Sequence, residues 1–135
     1  DIASVHASRP GRPIVLLVDD EPALLTVGSA ILSTLDLNIV AARSGEEAML
    51  TVAGHEQPSL ILLDLAMPGG MSGLETFDAL HEKHPHIPIV ACSGFFGDGA
   101  EEMCQHLGFA GMLPKPYTAD SLVSVVRRVL MQQPE

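Results

Sequence analysis

Basic residues are scarce in this sequence. The 135 residues contain 7 lysines and arginines against 17 aspartates and glutamates, and the formal net charge is −10 with histidine neutral. A protein that binds the phosphate backbone of a nucleic acid needs a basic stripe to neutralise it. No such stripe is visible along the chain, so we expect no direct binding to nucleic acid.

Cysteines and long apolar runs are scarce as well. Cys92 and Cys104 are the only cysteines and do not form a C-x-x-C pair, which favours a reducing compartment over a disulfide framework. No apolar stretch approaches the roughly 20 residues of a membrane-spanning helix, and no signal peptide is evident. We therefore expect a cytoplasmic protein that does not enter the membrane.

The composition favours one folded domain. Hydrophobic residues make up 47% of the chain and charged residues 18%, a balance typical of a globule rather than of a disordered chain. A length of 135 residues suits one domain better than two. Residues 1–12 show no periodicity and are expected to form a flexible leader, and residues 13–133 the domain itself.

Continuous aliphatic runs alternate with helical patterns from Ile14 onward. Such runs predict strands that are buried on both faces of a parallel sheet. The five predicted strands cover residues 14–18, 38–42, 60–63, 87–92 and 111–114. Because crossovers between parallel strands are right-handed, we predict an α/β fold: a doubly wound five-stranded sheet in the flavodoxin-like order 2-1-3-4-5, with five helices. Pro114 favours an edge position for the fifth strand, since proline cannot donate to the ladder.

Capping residues and apolar spacing predict where the helices lie. The first is expected from Pro22 to about residue 35, and Ser44 and Ser72 each begin an S-x-x-E capping box that opens the next two. The fourth helix should end at Gly108. Ala100, Met103, Cys104 and Leu107 share one of its faces, and we expect Met103 and Cys104 to lie in the core. Thr118 is expected to cap the last helix, whose apolar residues fit a helical repeat.

Acidic residues follow two of the predicted strands. Asp19 and Asp20 come after the first strand and Asp64 after the third, and the carboxyl ends of parallel strands meet at one edge of the sheet. A simpler interpretation exists for each, since Asp64 could form a turn and the other two could favour the positive end of a helix. Three converging carboxylates would repel each other, and Mg²⁺ relieves such repulsion through its preference for oxygen ligands. We therefore favour a magnesium site.

A hydroxyl and an ammonium follow two other strands at the same edge. Ser93 ends the fourth strand, where serine alone is usually a turn residue, and Lys115 follows the fifth, where lysine alone is usually a solvated charge. Lys115 lies between two prolines, Pro114 and Pro116, which fix the local backbone. Phosphoryl transfer depends on positioning and on neutralising the phosphoryl oxygens, so acids, hydroxyl and ammonium together indicate such a site.

Four motifs in this order resemble those of response-regulator receiver domains from two-component signalling. They occupy residues 18–22 (VDDEP), 63–68 (LDLAMP), 90–94 (VACSG) and 114–117 (PKPY). The resemblance implies that Asp64 is the phosphoacceptor and takes a phosphoryl group from a phosphohistidine. The resemblance also implies a Mg²⁺ site. Its ligands would be the side chains of Asp19, Asp20 and Asp64 and the backbone carbonyl of Ala66.

The resemblance also implies catalytic roles and partners. Lys115 would pair with Asp64 and then with a phosphate oxygen, and Ser93 would donate a hydrogen bond to another. The phosphodonor would be a histidine kinase or a histidine phosphotransfer domain, and a downstream effector would bind the surface of helix 4, strand 5 and helix 5. Such a domain is not an enzyme, beyond its self-catalysed phosphotransfer and autodephosphorylation.

Three features of the sequence depart from the common family pattern. The loop at residues 69–73 is one residue longer, as in receivers of hybrid histidine kinases. In this family the switch usually consists of a hydroxyl residue and an aromatic residue. Ser93 matches the hydroxyl residue, but Met112 occupies the place of the aromatic one. Ala66 and Phe95 cannot orient a water where family members influence hydrolysis of the phosphoryl group, so we predict slow autodephosphorylation.

Other classes of function fit the residues less well. A Mg²⁺-dependent aspartyl phosphatase of the haloacid dehalogenase type would need an acid where Ala66 stands. A flavin or nucleotide carrier would need a glycine- or hydroxyl-rich first loop, and a receiver-like module that is never phosphorylated would not need the full set of acids, hydroxyl and lysine. A zinc site at His81, His84 and His86 is less favoured than a solvated helix end.

Overall fold

Five parallel strands alternate with five helices in the computed structural model, which describes residues 11–54 and 57–132. The strands are β1 Ile14–Val18, β2 Asn38–Ala42, β3 Leu60–Asp64, β4 Ile89–Ser93 and β5 Gly111–Pro114. The helices are α1 Pro22–Leu32, α2 Gly45–Gly54, α3 Gly73–Lys83, α4 Ala100–Leu107 and α5 Ala119–Met131. Residues 1–10 of the expected leader lie outside the described residues, as do residues 133–135.

The sheet has the predicted order, β2-β1-β3-β4-β5. Its register places Val18 beside Leu63, Asp64 beside Cys92 and Ser93 beside Pro114. The carboxyl ends of β1, β3, β4 and β5 therefore lie along one rim of the sheet, as the sequence indicated. β5 is at the edge, where Pro114 costs no ladder hydrogen bond.

Helices cover both faces of the sheet, so the core has two halves. One half packs side chains of α2, α3 and α4 against the sheet, and the other packs α1 and α5. All five residues of β3 are buried, which explains why this strand is a continuous aliphatic run rather than an alternating one. No helix of the described residues is long and apolar enough to cross a membrane.

Two helix predictions were wrong in detail. α1 ends at Leu32 rather than near residue 35, because the hydroxyls of Ser33 and Thr34 donate to the carbonyls of Ala30 and Ile31 at 2.7 and 2.8 Å. Hydroxyls of this kind compete with the helical backbone bonds.

On α4, only Cys104 of the predicted face is buried, whereas Met103 is 65% exposed and Leu107 41%. The helix packs beside the edge strand β5, so one narrow strip of its surface suffices to cover the core.

Candidate functional site

Asp64 is a buried acid at the carboxyl end of β3. It is 3% exposed, and its Oδ1 accepts a hydrogen bond from the Ala66 amide at 3.0 Å. Burial raises the pKa of Asp64 above its usual 3.8, because a carboxylate is poorly solvated there. The Ala66 amide and the Lys115 ammonium lower this pKa, and the charge of Asp19 raises it.

Asp19 and Asp20 follow β1 and meet Asp64 at the rim. Asp19 is buried and Asp20 exposed, and Asp19 Oδ1 accepts a hydrogen bond from the Glu21 amide at 2.9 Å. One carboxylate oxygen from each of Asp19, Asp20 and Asp64 lies within 4.8 Å of the other two. An all-oxygen donor set of this kind fits Mg²⁺, so these three residues can hold a divalent cation.

Lys115 connects two of these acids. Its Nζ lies 2.7 Å from Asp19 Oδ2 and 3.2 Å from Asp64 Oδ2. Its amide donates to the Ser93 carbonyl at 2.8 Å, and the Lys115–Pro116 peptide bond is cis. Burial lowers the pKa of Lys115, but the hydrogen bond and charge of Asp19, with the charge of Asp64, outweigh it and the pKa is raised. The ammonium therefore stays charged and offsets one of the three negative charges.

Ser93 ends β4 at the same rim, but its hydroxyl is engaged with its own loop. Ser93 Oγ donates to the Phe95 carbonyl at 2.9 Å and accepts from the Phe95 amide at 3.1 Å. The Phe95 side chain is 83% exposed, so the ring is not packed over the carboxylates.

Met112 and Tyr117 lie on opposite faces of the sheet. Met112 is half-buried on the side of α2, α3 and α4, where it lines a cavity of about 170 Å³ together with Cys104, Phe109 and Arg128. Tyr117 packs on the side of α1 and α5. Met112 therefore lies beside empty volume between α4, β5 and α5.

The other reactive side chains do not join the site. Burial raises the pKa of the Cys92 thiol to about 12, so it is not a thiolate nucleophile at neutral pH. His84 Nδ1 and His86 Nε2 bond to the amide of Gln57 at 3.1 and 2.6 Å, and His81 stacks on Phe77. Within the described residues, the three aspartates at the rim are the only cluster with metal-binding geometry.

Comparison with known families agrees with this site. Residues 15–127 match the family model of the response regulator receiver domain. The chain belongs to the response regulator receiver domain family. The fold has the strand order and helices of a receiver domain, which in two-component systems serves phosphorylation-dependent signalling.

Relatives of known sequence include this receiver domain as one part of a longer protein. The chain is 32% identical to the nitrogen assimilation regulatory protein NtrX of Azorhizobium caulinodans over 117 residues, which are 86% of this chain and 26% of that protein. It is 33% identical to the transcription factor SKN7 of Chaetomium thermophilum over 124 residues, 90% of this chain and 16% of that protein. The chain thus spans only 26% and 16% of the length of these two relatives.

Solved structures of receiver domains superpose closely on this one. The receiver domain of NtrX from Brucella abortus aligns with a TM-score of 0.81 at 28% identity and covers 88% of this chain and 99% of that one. The signal receiver domain of a putative Luxo repressor protein from Vibrio parahaemolyticus aligns with a TM-score of 0.82 at 26% identity, over 90% and 92% of the two chains.

Sequence reasoning missed two features of the site. The shorter contact of Lys115 is with Asp19 rather than with Asp64, and neither strand pattern nor spacing carries that preference. The start of α3 packs directly on the backbone of Asp64. The signal for this contact was Gly73 directly after the N-cap serine, a place where a glycine has no advantage for the helix itself.

Proposed function

We propose that this receiver domain accepts a phosphoryl group on Asp64 from a phosphohistidine, in the presence of Mg²⁺, and that the modification switches the binding of a partner. The observation that carries the proposal is the position of the Lys115 ammonium, 3.2 Å from the Asp64 carboxylate and 2.7 Å from Asp19. This pairing supports Asp64 as the acceptor, because the charge needed for transfer already lies beside it.

In the transfer, a carboxylate oxygen of Asp64 forms a bond to phosphorus as the bond from phosphorus to the donor imidazole nitrogen breaks. The imidazole leaves with the electron pair, and the product on Asp64 is an acyl phosphate. Lys115 neutralises phosphoryl oxygens as their charge develops, while Asp19 holds its ammonium in place. Asp19, Asp20, Asp64 and the backbone carbonyl of Ala66 would hold Mg²⁺, which would supply the remaining charge neutralisation.

The switch begins at Ser93 in this proposal. To donate a hydrogen bond to a phosphoryl oxygen on Asp64, the Ser93 hydroxyl must give up the Phe95 carbonyl at 2.9 Å. Loss of the hydrogen bond between Ser93 and Phe95 frees the loop that leads into α4. Met112 is the second switch residue, since it lies beside a cavity of about 170 Å³ that its flexible side chain can enter. The effector surface would then be that of α4, β5 and α5.

The uncharged helix α1 is the surface that a protein phosphodonor would meet beside the site. None of its eleven residues is charged, and Ala23, Thr26 and Val27 are exposed. It begins three residues after Asp19, so a donor that packs on it brings its histidine close to Asp64. We propose a histidine kinase or a histidine phosphotransfer domain as this donor.

We further propose that the domain covers residues 13–133, acts in the cytoplasm and turns over no separate substrate. β1 begins at Ile14 and α5 ends at Met131, and both cysteines are free thiols, as a reducing compartment favours. A haloacid dehalogenase-type hydrolase remains disfavoured because Ala66 cannot act as its second acid.

The test is incubation with acetyl phosphate and Mg²⁺, followed by intact mass. The proposal predicts a gain of one phosphoryl group that chelation of the metal prevents and that Asp64→Asn abolishes. Asp78→Asn, an exposed acid on α3, is the matched control and should gain the group as the wild type does. Unchanged mass of the wild type would refute the proposal, and would favour a binding module that is not phosphorylated.

A further inference from the structure

Gly73, the first residue of α3, lies directly on the backbone that carries Asp64. A Cβ built on Gly73 would be 2.5 Å from the Asp64 carbonyl oxygen and 2.8 Å from the Leu65 carbonyl oxygen, and would also overlap the Leu65 Cα. All three are backbone atoms, so no side-chain rotation can make room. The backbone conformation of Gly73 is not left-handed. Glycine is therefore required here because there is no room for a Cβ, and not because of the backbone conformation.

The backbone under Gly73 sets the direction of the Asp64 carboxylate. The Leu65 amide donates to the Cys92 carbonyl at 2.9 Å, and the Ala66 amide donates to Asp64 Oδ1 at 3.0 Å. A shift of the peptide between residues 64 and 65 would therefore move both the carboxylate and the amide that orients it.

The start of α3 has little freedom to move away from β3. Ser72 and Glu75 form a reciprocal capping box, and the hydroxyl of the fully buried Thr76 donates to the Ser72 carbonyl at 2.7 Å. Behind Thr76 lies Gly45 of α2, where a Cβ would overlap the Thr76 hydroxyl.

The loop before α3 is held from the same side. The Glu46 carboxylate accepts from the Met71 amide at 3.0 Å. Because α2 blocks the retreat of α3, a side chain at Gly73 must displace the backbone of residues 64–65 instead.

We propose that Gly73 is a positioning residue for phosphoryl transfer: its missing side chain seats α3 on the end of β3 and fixes the Asp64 carboxylate against Asp19 and Lys115. This inference rests on the proposed function of Asp64. A misplacement of about 1 Å at a reacting group can cost up to roughly 100-fold in rate. We therefore expect Gly73→Ala to slow phosphorylation by roughly 10- to 100-fold.

The experiment compares three glycine variants with the wild type. Gly54→Ala is the matched control, since a Cβ at this α2 position meets nothing within 4 Å. Gly45→Ala introduces an even tighter contact, but against the Thr76 side chain rather than the backbone of residues 64 and 65. Four quantities are measured for each protein. Two are kinetic, the maximal phosphorylation rate and the half-saturating concentration with acetyl phosphate and Mg²⁺. The other two are the amide resonance of Ala66 and the thermal unfolding midpoint.

The expected result is a folded Gly73→Ala protein with a reduced maximal rate, a nearly unchanged half-saturating concentration and a shifted Ala66 resonance. Gly54→Ala should match the wild type, and Gly45→Ala should lose stability with a smaller loss of rate. A Gly73→Ala rate equal to that of the wild type would overturn the inference, as would equal rate losses in Gly45→Ala. Failure of Gly73→Ala to fold would also overturn it, because the contact would then serve the fold alone.

Failure of the proposed function gives a different pattern. In that case neither the wild type nor Gly54→Ala gains a phosphoryl group on Asp64. If both gain it while Gly73→Ala matches them, only the inference about Gly73 is wrong.

Discussion

The ammonium of Lys115 lies 0.5 Å closer to Asp19 than to Asp64, at 2.7 Å against 3.2 Å. Hydrogen bonds between charged groups are strongest near the shorter of these distances. Asp19 is therefore the anchor of Lys115, and Asp64 holds the weaker contact. In the proposed transfer, Lys115 can follow the phosphoryl group while it stays bound to Asp19.

Asp19→Asn tests this anchor together with the metal site. The change replaces an anionic carboxylate by a neutral amide, which is a weaker ligand for Mg²⁺ and a weaker acceptor for the Lys115 ammonium, so we expect Mg²⁺ to bind at least about 10-fold more weakly. Calorimetric titration measures the affinity. The control is Asp36→Asn. The Asp36 side chain is 93% exposed and pairs with Arg12, so this change should leave the Mg²⁺ affinity unchanged. Equal Mg²⁺ affinity of Asp19→Asn and the wild type would exclude Asp19 as a ligand.

Asp64→Asn should stabilise the metal-free protein at neutral pH. The pKa of Asp64 is raised in the fold, chiefly by burial, so between 3.8 and the folded pKa the native state binds more protons than the unfolded state. The stability contributed by this group therefore falls as pH rises through that window and remains reduced above it. The variant carries no ionisable group there, so its advantage should disappear below pH 3.8. Urea unfolding at several pH values checks this, and an advantage that does not depend on pH would contradict it.

Ser29→Ala should stabilise the fold by about 1 kcal/mol, since an unpaired buried hydroxyl costs about 1–3 kcal/mol. Ser29 is 3% exposed, and within the described residues its Oγ has no hydrogen-bond partner. Ser124→Ala, at an exposed position of α5, controls for the helix propensity of alanine. Chemical denaturation gives both values, and a loss of stability in Ser29→Ala would show that the hydroxyl has a partner after all.

Val27→Glu should slow phosphorylation by a protein phosphodonor but not by the small phosphodonor acetyl phosphate. Val27 is 49% exposed on the uncharged helix α1, and a charge there would be buried unpaired against a docked protein. We expect transfer from a histidine phosphotransfer domain to slow by 10-fold or more, on the order of 1.4 kcal/mol, with the rate from acetyl phosphate unchanged. Leu50→Glu, 74% exposed on α2, should affect neither. If the protein donor phosphorylated Val27→Glu as fast as the wild type, α1 would not be the docking surface.

Ala66→Asn should shorten the lifetime of the phosphorylated domain. Ala66 is exposed and follows Asp64 by two residues, and its methyl group cannot orient an attacking water. An amide at this position can do so, which is the kind of positioning that speeds hydrolysis. Loss of label from the phosphorylated protein is followed for the variant and for the wild type. A wild-type lifetime of seconds, or no acceleration in Ala66→Asn, would contradict the prediction of slow autodephosphorylation.

The sequence predicted the sheet order and the acid cluster because both follow from local patterns. The run at residues 60–63 is apolar throughout since both faces of β3 are buried, and the reactive groups follow the apolar runs directly. The orientation of Ser93 was not predictable in this way, because its hydroxyl is satisfied by the Phe95 backbone two residues on. The face of α4 was wrong because the amount of cover that an edge strand needs is a tertiary property.

Localising the phosphoryl group tests the central claim most directly. Borohydride reduces an acyl phosphate on aspartate to homoserine, which peptide mass spectrometry assigns to a position. After incubation with acetyl phosphate and Mg²⁺, we predict homoserine at residue 64 and nowhere else in the chain. Homoserine at residue 19 or 20, or its absence from a protein that has gained a phosphoryl group, would contradict the account.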